Sequence, residues 1–217
     1  MFFTGGNQLK LVSTLAGTPL EALLRERHRC GLHLGGTSAG ASALSSVMIA
    51  RGRGGSAARL SSVRLSAGLG FLPGVIVDQH FRERDRFGRL FAAVVCNPSL
   101  LGFGLDEDTA LVIDPSDRVS VLGDGTLTIV DGTYLEATDV DEMPDEEPVA
   151  FAGMRVHVLR QGWFYDLKKR SVEKRTRPIV ELASSRSAGS GASGKSSSRS
   201  NCSPDVGVAY ADGDETG

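Results

Sequence analysis

The sequence predicts a mixed α/β fold, and three stretches carry that prediction. Gly35-Gly36-Thr37-Ser38-Ala39-Gly40-Ala41 contains Gly-x-Ser-x-Gly, the pattern of a strand that enters a sharp turn and leaves as a helix. Val75-Ile76-Val77 is a short apolar run of the kind that forms a fully buried strand, and Phe87, Leu90, Phe91, Val94 and Val95 follow it at helical spacing. From Leu111 onward, short apolar runs separated by Asp, Pro and Gly turns read as antiparallel strands. A chain of 217 residues, 41% apolar and 23% charged, has enough apolar surface for one globular domain with a sizeable core.

Taken in order, Met1-Phe2-Phe3-Thr4 reads as the end of a buried strand, and Gly5-Gly6-Asn7-Gln8 as a loop whose glycines admit a ligand close to the backbone. Residues 9–15 form a short apolar helix. Thr18-Pro19-Leu20-Glu21 has the capping pattern of a second helix, with Thr18 at N-cap, Pro19 at N1 and Glu21 at N3. Arg25, Arg27, His28 and Arg29 suit its negative C-terminal end, and Gly31 stops it. Residues 31–34 run as a strand into the serine turn, and residues 41–49 read as a small-residue helix. Residues 51–66, rich in Arg, Gly and Ser, read as an exposed loop whose four arginines could face an acidic partner. The strand at 75–77 ends in Asp78-Gln79-His80-Phe81, and the helix after it ends before Asn97-Pro98. Strands are expected at 111–113, 119–122 and 127–130, then an acidic connection at 139–147, a last strand at 154–159 and a cap at 163–167. Residues 183–217 hold too few apolar residues to offset ordering entropy and are expected to be a disordered tail after a domain of residues 1–182.

Charge and cysteine content exclude several classes of function. A net charge of −2 and a pI of about 6.1 supply no overall field for nucleic acid or an anionic membrane. No apolar run approaches the roughly 18 residues of a membrane span, and no basic segment followed by an apolar one opens the chain, so a cytoplasmic location is expected. Cys30, Cys96 and Cys202 are widely spaced and lack CxxC pairing, which argues against a disulfide framework and a zinc site. No metal or organic cofactor is expected.

The serine turn points to nucleophilic catalysis. It lifts the Ser38 hydroxyl into the open and aims the first N–H of the following helix, that of Ala39, at the place where an oxyanion forms. A serine nucleophile needs a base. His80 is chosen because it ends a buried strand, where ligands bind in an open α/β sheet. His28 belongs to a basic helix terminus, His33 to the strand entering the turn, and His157 to a late β region. The acid that orients the imidazole is taken to be Glu107, with Asp106 and Asp108 as competitors that spacing does not separate. The order Ser, His, acid differs from the Ser, acid, His order of α/β-hydrolases.

Four blocks in order, Phe2-Phe3-Thr4-Gly5-Gly6-Asn7-Gln8-Leu9, Gly36-Thr37-Ser38-Ala39-Gly40-Ala41, Asp78-Gln79-His80-Phe81 with its following arginines, and Gly104-Leu105-Asp106-Glu107-Asp108-Thr109-Ala110, closely resemble cyanophycinase, a serine peptidase family (S51) related to aspartyl dipeptidases. The resemblance implies a flavodoxin-like three-layer α/β/α sandwich related to class I glutamine amidotransferases, with additional antiparallel strands in the C-terminal half, and a homodimer. It implies exopeptidase hydrolysis of cyanophycin, a poly-aspartate backbone carrying arginine on each β-carboxyl, to β-aspartyl-arginine dipeptides. Carried over by motif, Ser38 matches the nucleophile, His80 the base and Glu107 the acid, while Gln8, Asp78, Gln79, Arg84, Arg86 and Arg89 match pocket residues. The reading of the residues agrees with such a substrate. Guanidinium forks at Arg84, Arg86 and Arg89 suit carboxylates, and Glu83, Asp85, Asp106 or Asp108 suit arginine branches. N–H groups of Ala39 and of the Gly5-Gly6 loop, with Gly6 at its tip, would hold the oxyanion.

Two features depart from the family pattern. Asn7 stands where the family has Asp, and the strand-helix units that precede the Phe-Phe-Thr-Gly-Gly strand in relatives are missing, so the chain reads as N-terminally truncated. Besides a cyanophycin-degrading enzyme, the sequence therefore fits a peptidase for aspartyl or isoaspartyl dipeptides, or a catalytically inactive remnant.

Overall fold

A computed structural model describes residues 1–174 together with the backbone of Val206–Ala211. The chain opens with β1 (Phe2–Phe3), α1 (Gln8–Leu15) and α2 (Pro19–Arg29). Asn7 caps α1 by accepting the Lys10 N–H at 2.9 Å. Thr18 caps α2 through the Glu21 N–H, as its sequence predicts, but the Glu21 carboxylate reaches back to the N–H of Gly17 instead of that of Thr18. The next strand, β2 (Leu34–Thr37), starts later than residue 31, because the Leu32 N–H is still used by the carbonyl of Arg27 at the helix end.

The helix expected over residues 41–49 is one short turn, α3 (Ala39–Ala43), followed by β3 (Val47–Gly52). Val47 and Ile49 are β-branched and sit better on a pleated surface than in a helix. The exposed loop expected over residues 51–66 is corrected too. It holds a 3₁₀ turn at Leu60–Ser62 and β4 (Val63–Ala67), which pairs antiparallel with β3. In Val63-Arg64-Leu65-Ser66 alternate residues point inward, and Val63 and Leu65 pack with α4 (Phe87–Cys96), the helix that follows β5 (Val75–Gln79). The Arg-Gly-Ser composition concealed this period-2 pattern.

The second half is nearly all strand: β6 (Leu101–Leu105), β7 (Thr109–Ile113), β8 (Arg118–Gly123), β9 (Thr126–Asp131), β10 (Ala137–Thr138) and β11 (Phe151–Ala152). These lead to β12 (Arg155–Arg160), β13 (Trp163–Asp166), β14 (Ser171–Lys174) and β15 (Val206–Ala211). The expected cap at 163–167 is therefore a strand, paired with both β8 and β14. The tail expected to be disordered places β15 inside a seven-stranded sheet of order β1-β2-β15-β7-β8-β13-β14, parallel to β2 and antiparallel to β7. Its sequence alternates Val206, Val208 and Tyr210, enough for one strand, although the surrounding composition is polar. The rest of that expectation falls outside the described residues.

A four-stranded sheet, β12-β9-β6-β5, packs one face on this larger sheet and the other on α4. Alternation sorts the residues: Leu101, Phe103, Leu105, Leu127 and Ile129 enter the core between the sheets, and Ile76 and Val130 join the core under α4. Gly102 and Gly104 leave room on the helix face. A Cβ on Gly102 would come within 2.7 Å of Val94, and one on Gly104 within 2.5 Å of the Phe81 ring. Each fully buried Leu, Ile or Phe here contributes about 1.5–3 kcal/mol. Among the described residues no helix is long and apolar enough to cross a membrane.

Candidate active site

The serine turn is built by close approach. A Cβ on Gly36 would strike the backbone of Gly40, and a Cβ on Gly40 would strike the carbonyl of Phe3, so both positions admit only glycine. With β1 and β2 pressed against α3, the backbone of Ser38 is forced to φ 49° and ψ −113°. A serine rarely adopts that conformation, and holding it costs about 1–3 kcal/mol. His80 is held likewise, at φ 48°, just past the end of β5. Its carbonyl accepts the Arg84 N–H, while the Phe81 N–H bonds the carbonyl of Leu105.

These two strained residues meet. Ser38 Oγ lies 3.0 Å from His80 Nε2, and His80 Nδ1 lies 2.7 Å from Glu107 Oε1. With Glu107 as carboxylate acceptor, Nδ1 carries the proton and Nε2 is left to accept the serine hydroxyl. The His80 side chain is 10% exposed, so little water competes with either bond. Glu107 is itself held from behind, its N–H donating to the Glu83 carboxylate at 3.2 Å.

The three consecutive acids are placed differently. Asp106 is buried and accepts the N–H and hydroxyl of Thr126 at 3.1 and 2.6 Å, tying β9 to the site. Asp108 is exposed in a turn at φ 53°, its carbonyl taking the Asp124 N–H. Only Glu107 is bonded to the imidazole.

Beside Ser38 the backbone leaves an N–H without an intrahelical acceptor. Ala39 opens α3, where a first-turn N–H has no acceptor within the helix. The Gly5-Gly6 loop lies across from it: a Cβ on Gly5 would stand 3.5 Å from that of Ser38, and Gly6, at φ 124°, has open space around its Cα.

Of the remaining residues expected to contact substrate, all but Arg84 are engaged within the protein. Asp78 is buried, and both Arg86 and Arg89 close on it, Arg89 with Nε at 2.7 Å and a second bond through its terminal nitrogen. Arg86 also bonds the side-chain oxygen of Gln79 at 2.8 Å. Burial pulls Arg86 down to about 10, against the opposing pull of Asp78, and leaves it charged at neutral pH. Gln8 donates its amide to the carbonyls of Ile49 and Ala50, fastening α1 to β3. Arg84 is exposed. Glu83, grouped by sequence with partners for arginine branches, instead supports the acid; a lone glutamate between arginines carries no mark of that contact.

The profile of peptidase family S51 matches residues 1–121. The chain is 43% identical over 169 residues to a cyanophycinase of Geminocystis herdmanii, covering 77% of this chain and 62% of that protein. It is 44% identical over 173 residues to one of Nostoc sp., covering 79% and 58%, and 41% identical over 174 residues to one of Thermosynechococcus vestitus, covering 80% and 54%. The chain thus spans little more than half the length of these curated relatives. With the matched segment running from β1 through the serine turn, His80 and Glu107, the chain belongs to peptidase family S51.

Proposed function

We propose that the chain carries the catalytic centre of a serine-type exopeptidase that degrades cyanophycin to β-aspartyl-arginine dipeptides. The continuous Ser38–His80–Glu107 relay, at 3.0 and 2.7 Å, is the observation that supports it. His80 Nε2 takes the Ser38 proton as Oγ attacks the backbone carbonyl carbon, and the N–H groups of Ala39 and Gly6 receive the negative charge that builds on its oxygen. The imidazolium, steadied by Glu107, returns its proton to the departing amine. Water then enters, gives a proton to His80 and attacks the acyl-enzyme, releasing the dipeptide and restoring Ser38.

A second reading, a peptidase for aspartyl or isoaspartyl dipeptides, draws on the Asp78 cluster. With Arg86 and Arg89 committed to Asp78, Arg84 is the member of the arginine set left to meet a substrate carboxylate, enough for a short substrate. The fold class proposed is the three-layer sandwich of the flavodoxin-like kind, with β15 from beyond residue 182 as part of its sheet, and the assembly a homodimer, which sedimentation equilibrium tests.

The deciding experiment incubates the purified chain with insoluble cyanophycin, and separately with isoaspartyl dipeptides, reading products by mass spectrometry. Wild type is expected to release β-aspartyl-arginine, and Ser38→Ala to lose at least about 10³-fold in rate with its fold intact. Hydrolysis retained by Ser38→Ala would refute the assigned nucleophile, and cleavage confined to dipeptides would select the second reading.

A further inference from the structure

Beside the catalytic loop lies a cleft that the relay does not use. It has a volume of about 540 Å³ and is lined by the Arg53–Ala57 segment, Arg59, Ser61, Ser62, Arg64 and Glu146. Three arginines and one glutamate thus line it. Glu146 is held in place by the Ser61 hydroxyl at 3.0 Å, and Arg59 is anchored on the backbone carbonyl of the same residue. Arg53 and Arg64 are exposed and, among the described residues, have no carboxylate partner. Arg53 follows β3 directly, and its N–H bonds the carbonyl of Ser62, so the hairpin backbone fixes where these two arginines start.

The cleft is physically joined to the loop of the base. The Gly55 N–H donates to the carbonyl of Asp85 and its carbonyl accepts the Gly88 N–H at 2.8 Å, while Gly54 packs so tightly on the Arg84 carbonyl that a Cβ would collide with it. The Gly54-Gly55 wall of the cleft therefore rests on the segment that follows His80.

Like-charged guanidinium groups gathered in one concavity raise the local potential and call for an anion, in a molecule whose overall charge is slightly negative. Arginine binds carboxylates in a planar, two-pronged fashion. Each repeat of the proposed substrate offers a free α-carboxylate and, farther out, a guanidinium. The cleft offers the complementary pair, unpartnered arginines and a positioned glutamate.

We propose that this cleft is a second, non-catalytic docking site for the polymer, in which Arg53 and Arg64 hold the α-carboxylates of arginyl branches and Glu146 receives a branch guanidinium. The inference rests on the proposed substrate. It assigns to the β3–β4 hairpin the task of keeping the enzyme on an insoluble particle while the relay works on a chain end.

The test uses the full chain in two arms. In the first, Ser38→Ala protein, which leaves the polymer intact, is co-sedimented with insoluble cyanophycin, with and without Arg53→Ser and Arg64→Ser. Apparent affinity is expected to fall about five- to tenfold when both arginines are removed, and raised salt is expected to weaken binding only while they are present. The charge-keeping Arg53→Lys/Arg64→Lys variant is expected to fall between. In the second arm, with Ser38 intact, the ratio of dipeptide release from polymer to release from a soluble short segment is expected to drop with the double Ser variant. Unchanged sedimentation, or an equal loss on both substrates, would overturn the docking site. Absence of hydrolysis by wild type, beside arginine-dependent sedimentation, would defeat the proposed function and leave the cleft standing. Thermal unfolding of each variant is followed in parallel; Arg53 and Arg64, being exposed, are expected to leave it unmoved.

Discussion

Two residues at positive φ, Ser38 and His80, face each other across 3.0 Å, and each is held by neighbours that have surrendered their side chains. At Ser38 these are Gly36 and Gly40. Behind His80 it is Gly104, whose bare Cα accommodates the ring of Phe81. Gly104→Ala would drive a Cβ to within 2.5 Å of that ring, and Phe81 is fully buried and cannot swing aside. The expected outcome is a stability loss of about 1–3 kcal/mol by urea unfolding. His80, one residue away, would be displaced, and a displacement near 1 Å carries a rate loss of about 10²-fold. A variant that is destabilised but fully active would show that the base is not positioned through Phe81. That Ser38 and His80 would be brought together was legible in the sequence because each sits in a local pattern, a strained turn and a strand end. Glu107 was not separable from Asp106 and Asp108 by pattern, since neighbouring positions in a turn are told apart only by where the chain across the sheet arrives. The roles of Arg86 and Arg89 were hidden for the same reason: their partner Asp78 lies on another element, and a guanidinium aimed inward reads the same as one aimed at substrate.

At the scale of elements, the join between β5 and α4 is electrostatic as well as apolar. Asp78 on the strand is gripped by two buried cations, Arg86 at the N-cap of the helix and Arg89 in its first turn. Asp78→Asn leaves both without a counter-charge, and the expected loss is about 3–5 kcal/mol in chemical denaturation. Replacement without loss would mean that the arginines find other acceptors. A second element-level prediction concerns β12 and β13. Burial, reinforced by Arg155 and opposed by Asp131, lowers the pKa of His157 below its usual 6.5. The unfolded chain then binds more protons than the folded one as pH falls through 6.5 toward the lowered value, so stability declines on acidification in that window. The lowered carboxyls of Glu21, Asp114, Asp131 and Asp166 act at lower pH, below their ordinary values of 4.5 and 3.8. His157→Leu is expected to flatten the dependence of the urea midpoint between pH 6.5 and 5; an unchanged slope would assign it elsewhere. Helices α1, α2 and α4 were readable from caps and spacing, whereas the β3–β4 hairpin was masked by arginines and glycines that its exposed face tolerates.

For the molecule as a whole, the larger sheet depends on β15, which lies between β2 and β7. A chain ending at residue 205 would leave both neighbours with an unpaired edge. The amides of Leu34–Thr37 and Thr109–Ile113 are then expected to exchange hydrogen markedly faster than in the full chain, with loss of any activity that depends on β2. Protection as strong in the shortened chain would place the strand's contribution elsewhere. The α/β character was legible because strand and helix periods are local; the place of β15 was not, because one apolar alternation inside a Ser- and Gly-rich stretch acquires a partner only through contacts made across the whole chain.

That arrangement also sets a schedule. Translation makes the strand leading to Ser38 well before the strand that completes its sheet position. Until Ala211 has emerged, the nucleophile's strand has an open flank and the serine turn lacks its full support. Completion of the sheet around the Ser38 strand therefore waits on residues that translation supplies more than 160 positions after that strand, so the order of synthesis separates making the serine turn from closing its flank.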